Sequence, residues 1–302
     1  MSTPRPPVAD QPAALSHLPP GWTVVSTSGP AFFITHAVLR RPDGTEVEWT
    51  SRRQRKQLGV RATATTRLGI RARRRWGAPP SPSSWWMGAL FGVGSFCFAL
   101  GSIPLYFANV DPKIDAATFA IGSVFFTAAA YLQLRETVHA PDDVTPEVRR
   151  SSRRRRSLFA WRPHRIDWWA STIQLIGTFL FNVSTFAAIR TDLTVEHDKH
   201  LVWGPDVFGS ICFLIASGLA YAEVNRRWWP HSDGSVGWHI GALNLAGSIA
   251  FGLSAFGARL VGGSGTPANV TLVNAGTFLG AVCFLAGAVL LPVESARDAA
   301  TD

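Results

Sequence analysis

Six hydrophobic stretches of about 20 residues each dominate the chain from residue 85 onwards, and their interiors contain no Asp, Glu, Lys or Arg. A helix of about 20 residues crosses the roughly 30 Å hydrocarbon core of a bilayer. A buried helix of a soluble protein is the alternative, but such a helix normally carries a polar stripe at this length. The pattern therefore predicts an all-α membrane fold with six transmembrane helices. They are expected at 85–107, 115–134, 168–189, 205–222, 237–257 and 270–292.

The same short pattern recurs in each pair of neighbouring stretches. The first stretch has a Trp nine residues before a Gly, and a Phe four residues after that Gly. The second stretch has another Gly, followed by a Phe four residues later and a Glu fourteen residues later. Such repetition indicates one structural unit used several times, here three tandem helical hairpins. The repeated glycines are Gly94, Gly177 and Gly247 in the first stretches and Gly122, Gly209 and Gly280 in the second stretches.

The hairpins divide the chain into segments. The predicted hairpins are 85–136, 168–223 and 237–294, joined by an Arg-rich loop at 137–167 and a loop at 224–236, and followed by a tail at 295–302. Because the second connecting loop is the shorter one, hairpins two and three are expected to pack as a closer pair.

The segment before the first hairpin is predicted to be a small basic α+β unit. Residues 1–20 are rich in Pro and Ala, which is typical of disorder. Residues 21–58 contain two β-type runs around a Pro-Asp-Gly turn, then a short basic helix capped by Thr50 or Ser51. Residues 59–84 form a basic linker rich in Pro and Ser. A unit this small is not stable alone, so we expect it to lean on the membrane face or on a partner.

Positive charge alternates between the two sides of the predicted spans. The segments on one side carry 25 of the 29 Lys and Arg residues, and the three loops on the other side carry 4. The positive-inside rule then places both termini in the cytoplasm. Most tryptophans lie near the same predicted interface, where their amphipathic rings are favourable.

The three repeated glutamates are the first candidate functional residues. On a helix, offsets of 0, 4 and 14 place Gly, Phe and Glu on one stripe, with Glu at the cytoplasmic boundary. Each Glu could be an interfacial anchor, solvated or paired with a nearby Arg. Alternatively, the three could form an acidic ring that attracts cations or relays protons. They are Glu136, Glu223 and Glu294. The glycines are expected to let helices approach closely, with pore lining as the alternative.

Further candidates are polar residues inside the spans and an Arg cluster outside them. Gln174, Asn182 and Asn244 are expected to make interhelical hydrogen bonds, with substrate binding as the alternative. The Arg cluster is expected to enforce topology or to bind lipid head groups. Its members are Arg149, Arg150, Arg153, Arg154, Arg155 and Arg156.

Motifs of enzymatic chemistry are not found in the sequence. There is no Gly-rich phosphate loop, nucleophile elbow, HExxH motif or pair of catalytic carboxylates. The loop Glu196–His200 has acid and imidazole groups, but its spacing fits no standard zinc motif. We therefore expect a protein that is not an enzyme, with no catalytic residue, cofactor or metal site.

The hairpins resemble the small bacterial membrane unit called the YrhK-like domain. The resemblance rests on Trp85 with Phe91–Phe96, on Asn244–Ser248 and on Ile121–Phe126. It covers most of residues 85–294 and implies a bacterial inner-membrane location, but no activity or catalytic residue. The sequence departs from the pattern at Phe91, where Asn or Gln would fit, and at Gly280-Ala281 in place of Gly-Ser.

Two functions are compatible with these features. The first is a non-enzymatic scaffold or sensor whose basic cytoplasmic parts contact membrane lipids, anionic head groups or an unidentified protein partner. The alternative is a channel or transporter for a small solute or ion, using the mid-span polar residues and the acidic ring. Nucleic acid is not an expected partner, because motifs that read RNA or DNA are missing. The sequence makes no prediction of oligomeric state.

Overall fold

A computed structural model describes residues 15, 18–63, 79–141, 144, 160–190, 192–227, 234–261 and 265–300. The described chain is mostly helical, with a small sheet before six long helices. All six are long and apolar enough to cross a membrane, by length and composition. The predicted fold class is confirmed. The long helices are α2 (Pro82–Gly101), α4 (Pro112–Val138), α5 (Ile166–Ala188), α7 (Gly204–Asn225), α8 (Val236–Gly257) and α9 (Val270–Ala300).

Proline and capping residues set several helix ends. Ser81 and Asp111 cap α2 and α4 through their side chains, each followed by a Pro in the first turn. The first hydrophobic run does not form one helix to residue 107. It ends at Gly101, and a separate turn, α3 (Pro104–Phe107), follows because Pro cannot continue a helix. A further short helix, α6 (Val195–Asp198), leads through a π-helical turn at Lys199–Trp203 into α7.

The six long helices form a closed ring in which each packs against the next in chain order and α9 packs against α2. The expectation that hairpins two and three form a closer pair is wrong, because α9 packs along α2 more extensively than α7 along α8. Glycine is the physical reason. A Cβ atom on Gly88 of α2 would lie 2.8 Å from the carbonyl oxygen of Ala288. Because glycine has no Cβ atom, α9 can approach α2 closely at this point.

Within each hairpin, the repeated glycines face each other across the two helices. A Cβ atom on Gly94 would lie 2.9 Å from the carbonyl oxygen of Gly122. The equivalent distances are 3.2 Å from Gly177 to Gly209 and 3.0 Å from Gly247 to Gly280. The three hairpins are therefore packed in the same way, through bare backbone. Each repeated glycine also packs against the ring of the repeated Phe on the facing helix.

The axis of the ring is filled by six buried phenylalanines, which we call the phenylalanine core. The rings of the three first helices form one triangle, with centroids 5.8 to 6.4 Å apart. Those of the three second helices form another, with centroids 5.9 to 6.3 Å apart. Within each hairpin the two rings are 5.0 to 5.6 Å apart, so the triangles stack. The members are Phe98, Phe126, Phe181, Phe213, Phe251 and Phe284.

The N-terminal domain is a four-stranded antiparallel sheet with strand order β1-β2-β3-β4. Its strands are β1 (Thr23–Ser28), β2 (His36–Arg40), β3 (Glu46–Thr50) and β4 (Arg61–Ala62), with the helix α1 (Ser51–Arg55) after β3. The predicted hairpin is β2–β3, with Gly44 at φ +85° in its turn. The sequence did not predict β1 or β4, because β1 is mostly exposed and β4 has only two residues.

Candidate functional site

The three repeated glutamates lie at the same end of the bundle, near the carboxyl ends of α4, α7 and α9. All three contact cations of the N-terminal domain, and we call this group of charges the ionic cluster. Its carboxylates are Glu136, Asp167, Glu223, Glu294 and Asp298, and its cations are Arg52, Arg55, Lys56 and Arg165.

The short helix α1 and the residue that caps its carboxyl end, Lys56, supply three of the four cations. The hydroxyl of Thr50 caps the helix by accepting a hydrogen bond from the backbone N–H of Arg53 at 3.2 Å. Arg52, Arg55 and Lys56 then follow at spacings that place them on one face of the helical turn. The hydroxyl of Ser51 donates to Glu223 at 2.5 Å. The start of this helix is thereby directed at the bundle.

Arg55 joins the first two hairpins. Its guanidinium lies 3.7 Å from Glu136 of α4, 2.9 Å from Asp167 of α5 and 3.4 Å from Glu223 of α7. Burial alone would lower the pKa of Arg55, but the three carboxylates outweigh this effect and raise the pKa above its ordinary value. Arg55 is therefore held in its charged form although only 15% of its side chain is exposed.

Arg52 and Lys56 hold the third hairpin. Arg52 donates to Glu294 at 2.5 Å, and the ammonium group of Lys56 lies 2.8 Å from Glu294 and 2.7 Å from Asp298. The space for this contact depends on Gly237 at the start of α8. A Cβ atom there would lie 2.6 Å from the carboxylate of Glu294 and 3.3 Å from the guanidinium of Arg52.

Arg165 completes the ionic cluster from the bundle side. It donates two hydrogen bonds to Asp167, at 2.7 and 3.0 Å, and one to Gln54 of α1 at 3.1 Å. Asp167 lies in the first turn of α5, where the helix dipole stabilises a negative charge. Its side chain is only 2% exposed, so its charge depends on these partners.

An apolar contact lies beside the ionic cluster. Phe33, in the loop between β1 and β2, is buried against Ile166 of α5 and Ala222 of α7, with Trp169 and Leu219 packed around it. The N-terminal domain is thus held by opposite charges and by one buried aromatic ring. Removing one partner of a buried ion pair typically costs about 3 to 5 kcal/mol, because the other charge is left uncompensated.

The sequence indicated the two halves of the ionic cluster separately. It marked the glutamates by their repeat spacing and α1 by its cap and its basic residues, but it did not pair them. Asp167, Asp298 and Arg165 were missed, since none belongs to a repeated position. The one available signal was Asp167 at the start of a hydrophobic run, where a carboxylate favours a helix N-terminus.

The mid-span polar residues have separate positions. Asn182 of α5 donates to the hydroxyl of Thr127 of α4 at 2.9 Å. The hydroxyls of Ser123 and Thr185, on the same two helices, are 2.9 Å apart. Asn244 instead lies in hairpin three and packs against Gly287 of α9. A Cβ atom on Gly287 would lie 2.8 Å from the amide oxygen of Asn244.

The structure therefore does not bring the three polar candidates together, and Gln174 is half-buried elsewhere on α5. At the other end of the bundle, the exposed pair of Glu196 and His200 is 2.8 Å apart. The Arg cluster between 149 and 156 lies outside the described residues.

Neither models of protein families, nor curated proteins, nor solved structures gave a match to the chain.

Proposed function

We propose that this polytopic membrane protein is a non-enzymatic scaffold or sensor, in which the six-helix bundle holds the N-terminal domain at one end. The ionic cluster makes this attachment, which we call the latch. The observation that carries the proposal is the convergence of all three repeated glutamates on one short basic helix. A latch made of opposite charges can be released by a competing charged surface. The face of α1 that would become free is cationic, which suits anionic lipid head groups or an acidic segment of a protein partner.

The phenylalanine core supports a scaffold rather than a transporter. Six aromatic rings at van der Waals distance fill the axis on which a central conduction path would lie. The acidic ring that could attract cations is occupied by Arg55, which contacts two of its three members. Asn182 and Asn244 lie at two different helix interfaces instead of facing one another.

We further propose that the latched end faces the cytoplasm of a bacterial inner membrane, with both termini on that side. The excess of Lys and Arg on the segments at this end supports that orientation. We also propose that the hairpins are YrhK-like units. Their equivalent glycine contacts are compatible with one repeated module.

The latch is tested by replacing Arg55 with Gln in protein reconstituted into lipid nanodiscs. Because this change leaves buried carboxylates uncompensated, hydrogen exchange at α1 should become faster. Arg40→Gln is the matched control, since Arg40 pairs with Glu46 at 2.8 Å in the same domain but on an exposed surface. Equal exchange at α1 in the two variants would show that charge does not hold the domain.

The transport alternative is tested by flux into proteoliposomes across a broad panel of ions and small solutes. The parent protein should give no flux above that of empty liposomes. Flux in the parent that is lost when Glu136, Glu223 and Glu294 are all changed to Gln would contradict the scaffold proposal and favour a channel or transporter.

A further inference from the structure

The loop between β1 and β2, residues 29–35, presents one of the most exposed aromatic rings of the N-terminal domain. Phe32 is 79% exposed, although its neighbour Phe33 is 7% exposed. The two rings are in contact, with centroids 4.2 Å apart. One of two adjacent phenylalanines is therefore buried in the bundle, and the other projects from the same point of the surface.

Backbone hydrogen bonds hold the loop in this position. The backbone N–H of Phe33 donates to the carbonyl of Pro30 at 3.1 Å, and that of Thr35 donates to Ser28 at 3.1 Å. Ala31 has a φ of +52°, a conformation that costs an L residue energy and needs support from its surroundings. The backbone of this short loop therefore sets the point at which the ring of Phe32 projects from the surface.

The level of the loop along the bundle indicates what covers Phe32. Phe33 packs on Ile166, the first residue of α5, and on Ala222 near the end of α7. The helix ends are the region in which a spanning helix meets the membrane interface. Trp169 packs against the same contact.

Further tryptophan rings lie before α5 and in its first turn. Trp161 is 71% exposed, and its ring lies 4.8 Å from that of Trp168 and 6.0 Å from that of Trp169. Tryptophan is the residue that favours the boundary between head groups and acyl chains. Phe32 is thus connected, through Phe33 and Trp169, to a group of rings whose chemistry suits that boundary.

We propose that Phe32 inserts into the bilayer interface, so that the N-terminal domain is held by lipid as well as by the bundle. The occupant of this surface is the acyl-chain and head-group boundary of the surrounding membrane. The inference rests on the docked position of the domain proposed above. It adds a second, apolar attachment through which a change in lipid packing is transmitted to α1, because the loop is bonded to Ser51 through Thr35.

The test places an apolar aromatic fluorophore on a cysteine at position 32 or, as the matched control, at position 43. Asp43 is in the β2–β3 turn, at the end of the hairpin away from the loop of Phe32, and β2 between the two spans about 13 Å at 3.4 Å per residue. The parent for both variants has Cys97, Cys212 and Cys283 changed to Ala, which keeps each Cβ against its facing glycine.

Quenching is measured in nanodiscs, with a nitroxide near the top of the lipid acyl chain and with iodide in the water. The lipid quencher should reduce emission severalfold more for Phe32→Cys than for Asp43→Cys, and iodide should show the opposite order. Equal quenching by both agents at the two positions would overturn the inference. A label at position 32 that neither agent reaches would also overturn it, since a second protein copy or a partner would then cover the loop.

Hydrogen exchange at α1 in the same samples separates the two proposals. If α1 is protected while the label at position 32 is open to iodide, the lipid contact is wrong and the latch stands. If α1 is unprotected in the parent protein, the docked position is wrong and both proposals fail.

Discussion

Gly280→Ala tests whether bare backbone contact holds the hairpins together. A Cβ atom at this position would lie 3.0 Å from the carbonyl oxygen of Gly247 and 2.9 Å from the ring of Phe251. The ring can turn slightly, but the carbonyl can move only if helix α8 shifts. Overpacking of this kind typically costs about 1 to 3 kcal/mol. The change from Gly to Ala also stabilises a helix by roughly 1 kcal/mol, which partly hides that cost.

Gly252→Ala in the same hairpin removes the helix-propensity effect from the comparison. A Cβ atom on Gly252 would meet nothing within 4 Å, so this variant gains the propensity without the overpacking. The difference in unfolding free energy between the two variants should therefore equal the overpacking cost, about 1 to 3 kcal/mol.

Equilibrium unfolding in mixed micelles of a mild detergent and dodecyl sulfate, followed by circular dichroism, measures this difference. The variants should have parallel transitions, with Gly280→Ala unfolding at the lower dodecyl sulfate fraction. Coincident transitions would refute the close approach of α8 and α9, and with it the packing inferred for the equivalent glycines.

Three further outcomes are expected. Thr50→Ala should speed hydrogen exchange at α1 by the loss of a cap worth about 0.5 to 2 kcal/mol, whereas Thr50→Ser should not. Phe126→Ala should destabilise the bundle by about 3 to 5 kcal/mol in the micelle assay, and equal loss in the lipid-facing control Phe208→Ala would refute the phenylalanine core. The pKa of His36 is lowered below its ordinary 6.5, first by burial and then by Arg226. Because the unfolded state binds the proton more tightly, sheet stability should fall as the pH decreases through 6.5. The readout is a lower protection factor in β2, which is the intrinsic exchange rate at each pH divided by the measured rate, and an unchanged protection factor would contradict the shift.

The sequence by itself determined that six segments are suited to the interior of a membrane, and it determined the local elements. Hydrophobic runs without charge identified six spans, since the length of a helix that crosses a bilayer is set by the bilayer. Thr50 or Ser51 before a basic run predicted α1, and Thr50 is its cap, because a cap acts on its own helix within three residues. The repeat spacing placed Gly, Phe and Glu on one stripe, and Gly280 and Phe284 of α9 do lie on the face that meets the core. These features can all be read from residues that are near one another in the sequence.

Only the tertiary structure decided which charges pair and which helices of different hairpins pack side by side. Arg55 and Glu223 are 168 residues apart, and Arg52 and Glu294 are 242 residues apart. A carboxylate attracts any nearby cation, so nothing in the local sequence around Glu223 distinguishes Arg55 from Arg226. Glu223 pairs with Arg55 because the glycines allow the helices to close into a ring and Phe33 attaches the N-terminal domain to it. Together they bring the end of the bundle and α1 to the same place.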